Sequence, residues 1–169
     1  IFIVDFMWLV IKSSALSIFL SLLVIFLITT LFFKSWRYGI VSTIPLISAI
    51  FLNFGLMGWF NIELTHLTAL LSSIIIGVGV DFTIHYISEY QQVKRDKGLE
   101  NISKNTIDNV GYPIILDAWS NMGFGVLLLS TIVPLAQIGG LMIFAMLATS
   151  IGALTFLASI LEIFKLRIK

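Results

Sequence analysis

The stretch Ile74-Ile-Ile-Gly-Val-Gly-Val-Asp-Phe-Thr-Ile-His85 decides how this chain is read. It lies inside an apolar run, Leu64 to Ile87, whose carboxylate, Asp81, stands well inside it. A core helix of a soluble protein rarely needs so long an apolar run, whereas a bilayer core of about 30 Å needs about 20 apolar residues in a row. Four further runs of that length flank it: Ser13 to Phe33, Tyr38 to Phe60, Val110 to Thr131 and Leu135 to Phe164. The composition agrees. Of 169 residues, 59% are hydrophobic and 11% charged, where soluble domains run nearer 45–50% and about 25%. Mean hydropathy is +1.06. An ordinary cytosolic enzyme, a nucleic-acid binder and a disordered tail are excluded. The expected fold class is therefore all-α and integral to a membrane, with five transmembrane helices forming a single domain, because lone strands would leave backbone groups unpaired in lipid. Cysteine is absent, which removes disulfides, thiolate metal sites and thiol nucleophiles.

The basic residues predict an orientation. Lys34 and Arg37 lie between spans one and two, Lys94, Arg95, Lys97 and Lys104 between three and four, and Lys165, Arg167 and Lys169 after span five. Only Lys12 falls on the other side. The positive-inside rule then puts the N-terminus outside and the C-terminus in the cytoplasm. The start at Ile1 shows no signal-peptide pattern and suggests a fragment of a longer protein. The one long connection, Glu89 to Asn109, carries Leu99, Ile102, Thr106, Ile107 and Val110 at helical spacing, which predicts an amphipathic cytoplasmic segment beside a solvated-loop alternative.

Asp81 is the residue least at home in lipid. At a span centre it costs about 2.5–3.5 kcal/mol on insertion scales, and such residues face a bundle interior and mark ion or proton pathways. Gly77 and His85, at i−4 and i+4, lie within about 40° of it on a helical wheel, with Ser73 and Ser88 on the same side. Ser73, Gly77 and Gly79 are small enough for a second helix to approach. Span four carries Asp117 with Ser120 and Asn121 at i+3 and i+4. Counted from Glu89 and from Asn109, Asp81 and Asp117 are equally deep, about 12 Å inside the core. Facing carboxyls at one depth would share protons rather than both ionise. Packing hydrogen bonds are the structural alternative for Asp81, Asp117 and His85. Asn53 reads as polar glue between helices, and Ala145, Ala148, Thr149 and Gly152 as a packing stripe.

From Gly77 to Tyr90 the chain resembles the RND superfamily of proton-driven exporters, and within it the MMPL-type branch. Arg37-Tyr-Gly with Pro45 resembles the entry to that family's ninth helix, and Gly55-Leu-Met-Gly its exit. Val110-Gly-Tyr-Pro resembles the start of the eleventh helix and Pro134-Leu-Ala-Gln-Ile-Gly the start of the twelfth. The resemblance covers nearly the whole chain. It implies helices eight to twelve of a twelve-helix, pseudo-symmetric transporter in a bacterial inner (plasma) membrane. It also implies a secondary active transporter rather than an enzyme, exporting lipidic or amphiphilic substrates by proton antiport. Asp81 falls on the tenth helix, where the family pairs an acidic residue with one in the missing half. Asp81, Asp117 and His85 are the proton-relay candidates; Ser73, Gly77, Gly79, Ser120 and Asn121 are packing candidates beside them. The expected partners are the missing N-terminal half, membrane lipids and a second copy of the chain. No nucleic acid, metal or cofactor is expected, the proton gradient supplying the energy.

Two departures from the family pattern stand out: Phe82 where many relatives have Tyr, and Asp117 where Asn or Thr is commoner. SecD/SecF-like export subunits share the architecture but follow the Asp with an Ala-Asn-Val type run, unlike Thr83-Ile-His-Tyr. Patched-like sterol-sensing proteins usually have a second acidic residue at position 82. An intramembrane aspartyl protease would also hold two depth-matched aspartates, but places one directly after Gly-x-Gly, where Val80 stands here.

Overall fold

The computed structural model describes residues 2–97 and 101–164, and among them there is no strand. The elements are α1 (Phe2–Phe33), α2 (Trp36–Trp59), α3 (His66–Lys97), α4 (Ile102–Asn121), which tightens into a 3-10 helix (Met122–Leu129), and α5 (Val133–Gly152), which continues through a π-helical turn (Ala153–Leu157) into α6 (Ala158–Phe164). Five segments are long and apolar enough to cross a membrane: Phe6–Phe33, Trp36–Trp59, Leu70–Asp96, Ile102–Leu129 and Val133–Ile163. The stretch expected as a separate connection, Glu89 to Asn109, is largely helix that extends its neighbours. α3 runs on to Lys97 because Tyr90 and Val93 continue its buried face, and α4 already begins at Ile102, itself fully buried. Leu99 and the basic group Lys165, Arg167 and Lys169 lie outside the described residues.

α1 and α2 both stop without glycine. Lys34 and Asn61 take the left-handed conformation, each at φ 51°. Behind them Ser35 N–H donates to the Thr30 carbonyl at 3.2 Å and Ile62 N–H to the Met57 carbonyl at 2.8 Å, the six-to-one bond that closes orphan carbonyls at a helix end.

α3 is the hub. It packs against α1, α2, α4 and α5, while α1 also packs on α2, α2 on α5, and α5 on α4. The four neighbours thus wrap α3 on all sides except the sector between α1 and α4. The wrapped face of α3 is apolar and solidly buried: Leu71, Ile75, Ile76, Phe82, Tyr86, Ile87 and Tyr90. Lipid tails are as apolar as these side chains, so close backbone approach and interhelical hydrogen bonds have to hold the bundle. A Cβ on Gly79 would stand 2.8 Å from Leu46 Cδ2 and 3.0 Å from Thr149 Cγ2, marking where α3 crosses α2 and α5. Asn53 Nδ2 donates to the Leu141 carbonyl at 3.2 Å, tying α2 to α5. Ser42 Oγ donates to Thr29 Oγ1 at 3.0 Å across the α1–α2 seam. At the other end Tyr90 Oη donates to the Leu161 carbonyl at 3.2 Å and Ser103 Oγ to Glu162 Oε2 at 2.6 Å, so α6 is bound to both α3 and α4.

Candidate functional site

The sector of α3 left open by its neighbours repeats at helical spacing. Leu67, Leu70, Ile74, Gly77, Asp81, His85 and Gln92 are all exposed along it, with Ser88 half-buried in the same line. Asp81 therefore faces away from this chain's own core. Of the apolar residues around it, Ile75, Ile76, Phe82, Tyr86 and Ile87 are buried against α3's neighbours, while Val78, Val80 and Ile84 are half-buried. A carboxylate in this position would meet hydrocarbon if nothing else covered it, which membrane proteins avoid.

The residues singled out from sequence divide into three groups. Asp81 and His85 stand one turn apart on the open stripe of α3, and Asp117 is carried by the neighbouring α4. Asp117, half-buried on α4, accepts a hydrogen bond from Asn121 Nδ2 at 3.1 Å on its Oδ1. The same amide reaches the Asp117 backbone carbonyl at 3.0 Å, one turn back and at the point where α4 tightens into its 3-10 extension. Side-chain amides that bond back to the helix in this way compete with its backbone ladder. Ser120 is exposed on the same helix.

Gly77 lies on the open sector and Ser73 at its edge, half-buried. Ser73 Oγ and Ser17 Oγ are 3.0 Å apart, joining α3 to α1. A Cβ on Gly77 would meet nothing within 4 Å. Here a groove of about 330 Å³ opens between α1 and α3, lined by Leu20, Ser21, Val24, Ser73, Ile76 and Gly77. Gly79 stands apart from both groups. Two residues from Gly77, it lies on the opposite side of α3, in the crossing with α2 and α5 rather than next to Asp81.

Sequence reasoning passed over Glu89, whose Oε1 accepts a hydrogen bond from Asn109 Nδ2 at 2.6 Å. It also passed over the Ser103–Glu162 pair. The first had a signal, since both residues mark the edges of their spans; the second did not, because its partners are far apart in sequence. A separate apolar cavity of about 560 Å³ sits at the opposite end of the bundle, between α2, the 3-10 helix and α5, with Leu56, Phe60, Leu128, Val133 and Gln137 among its walls. Among the described residues no cluster of His, Asp and Glu is arranged to hold a metal ion.

Two known proteins are similar to this chain in sequence. The solvent-resistant pump membrane transporter SrpB of Pseudomonas putida is 25% identical over 132 residues, covering 77% of this chain and 12% of its own length. The membrane protein MJ1562 of Methanocaldococcus jannaschii is 26% identical over 157 residues, 90% of this chain and 40% of its own. The chain thus spans well under half the length of either. The family profile described as the sterol-sensing domain of SREBP cleavage-activation matches residues 33–168, from the end of α1 past the end of α6. A match over that much of a chain with five membrane-length apolar helices places the protein in the sterol-sensing domain family.

Proposed function

We propose that this chain is the C-terminal transmembrane part of a proton-driven exporter of the MMPL type, and that Asp81 carries the proton. The observation behind this reading is the open stripe on α3. A carboxylate, an imidazole and a glycine with no neighbour share the one sector of the hub helix that its own bundle leaves bare. Covering that sector with a further set of helices would remove Asp81 from lipid and leave it titratable inside the protein. The relatives are longer than this chain by enough to supply such helices, which supports a twelve-helix, two-halved transporter.

Rocking of one helix set against the other around a midplane site is the usual motion of such proteins. One charge crossing the full field releases about 2.3 kcal/mol per 100 mV to drive it. The excess of basic residues at the Lys34, Lys94 and Lys104 connections supports a cytoplasmic location for that end of the bundle, in an inner (plasma) membrane. The cargo, on this reading, is lipidic or amphiphilic.

The family match favours a second reading, in which the bundle binds a sterol and reports its presence without transport. One experiment separates the two. Full-length protein in proteoliposomes, loaded with a fluorescent lipid and given an imposed pH gradient, is expected to move the lipid only while the gradient lasts and to stop when a protonophore is added. Movement that ignores the gradient would refute proton coupling. No movement, together with saturable capture of a photoreactive sterol, would favour the sensor.

A further inference from the structure

The seam between α3 and α4 carries polar groups at matched heights. The two helices run antiparallel. Glu89 Oε1 accepts from Asn109 Nδ2 at 2.6 Å, and eight residues further from the basic end on each helix the same register sets Asp81 on α3 beside Asp117 on α4. The two rungs are about 12 Å apart along the helices. His85 sits midway on α3, one turn from each carboxyl, and its register partner on α4 is Pro113. Pro113 lies inside α4 and has no N–H to give the Asn109 carbonyl four residues back. His85 and Pro113 are both exposed on the open side of the seam.

We propose that protons leave Asp81 for the cytoplasm along this seam, through His85 to Glu89, with Glu89 the exit group and Asn109 the residue that positions it. Neighbours one turn apart on a helix face are about 5–6 Å apart, a gap that one bridging water closes for proton transfer. In the first step the protonated Asp81 carboxyl gives its proton to the neutral imidazole, leaving a carboxylate and an imidazolium. In the second the imidazolium passes it to the Glu89 carboxylate, restoring neutral imidazole. In the third Glu89 releases it to bulk water and is a carboxylate again. No other reactant is consumed. The charged groups around the exit are Asp108 and Lys104 on α4, both exposed, Lys94 on α3, and Glu162 of α6, which is engaged by Ser103. Asn109 keeps Glu89 on the seam, where it can receive the proton.

This inference rests on the exporter reading, so the test carries a control for each. In the full-length transporter under a pH gradient, Asp81→Asn should be inert. Glu89→Gln keeps an acceptor for Asn109 but cannot titrate. It should lower the maximal export rate on the order of tenfold or more, with the substrate KM unchanged. Glu89→Asp should recover much of the rate. Imidazole buffer supplied on the cytoplasmic side alone should restore Glu89→Gln, because a small base can take the proton the missing carboxylate would have taken. Asn109→Ala, which spares the titrating group, should give a milder loss with the same response to buffer. If Asp81→Asn is inert but Glu89→Gln exports at the wild-type rate, the exit assignment falls and the exporter reading stands. Loss in Glu89→Gln that neither buffer nor aspartate repairs would make Glu89 a structural contact and overturn the proposal. Normal export by Asp81→Asn would overturn the exporter reading itself.

Discussion

Replacing Asp81 by asparagine should abolish gradient-driven export while leaving insertion and protein level intact or slightly improved. Asparagine keeps the shape of the side chain and its hydrogen-bonding capacity but cannot take up a proton. On insertion scales a central Asp costs about 2.5–3.5 kcal/mol, and removing its charge relieves part of that cost. Within this chain the variant disturbs little, since Asp81 is exposed on the open sector of α3 and the buried face around Ile75, Phe82 and Tyr86 is untouched. Asp117→Asn should be milder. Its carboxylate is already engaged by Asn121 at 3.1 Å, so it acts on the relay through its effect on Asp81. Slower export or a displaced pH optimum is the expected outcome, measured in the same proteoliposomes. Equal and complete loss in both variants would mean that the two carboxyls work as one site.

The second large effect is expected from Gly139, far from the proposed relay. A Cβ there would come 2.5 Å from the Leu128 backbone nitrogen, 2.9 Å from the Leu127 carbonyl carbon and 3.0 Å from Leu127 Cβ. Two of those three atoms are backbone, which cannot swing aside as the end of a side chain can. The 3-10 helix after α4 therefore rests directly on α5 at this point. One turn earlier the contact is softer, because a Cβ on Gly125 would stand 2.6 Å from Ile143 Cδ1, the movable end of a side chain. Overpacking of a tight interior typically costs about 1–3 kcal/mol, and a protein of this size loses roughly 2–4 °C of Tm for each kcal/mol. Gly139→Ala should lower the Tm of the detergent-purified protein by several degrees, and Gly139→Val should leave little folded protein to purify. An unchanged Tm for Gly139→Ala would mean that the 3-10 segment is not seated on α5.

How much of this was legible beforehand differs from residue to residue. The spans were visible because lipid imposes a long uninterrupted apolar run, and few other folds ask for one. Their ends were harder to place. α1 and α2 stop at Lys34 and Asn61 in the left-handed conformation, and neither position is a glycine. α3 continues past Ser88 because Tyr90 and Val93 find cover against other helices, which is a tertiary fact. The 3-10 segment Met122–Leu129 reads in sequence as ordinary apolar helix; its tighter winding accompanies the backbone contact on Gly139.

For the candidate site, helical spacing was enough to put Gly77, Asp81 and His85 on one stripe. It could not say that this stripe would be the bare sector of the hub, because exposure depends on where α1 and α4 dock. Gly79 shows the same limit. Its smallness was evident, but its side of the helix serves the crossing with Leu46 and Thr149. Glu89 and Asn109 looked like the edges of a loop until the antiparallel register brought them to 2.6 Å.

The central claim is that Asp81 carries a proton inside the membrane. A hydrophobic carbodiimide reacts with protonated carboxyls in apolar surroundings and spares carboxylates in water, so it reads that claim directly. Full-length protein in membranes would be treated across a range of pH and its modified peptides identified by mass spectrometry. Modification centred on Asp81, rising as pH falls and matched in extent by loss of export, is the predicted result. Label confined to Glu63 or Glu89, with Asp81 unmodified at every pH while export is still driven by the gradient, would contradict it.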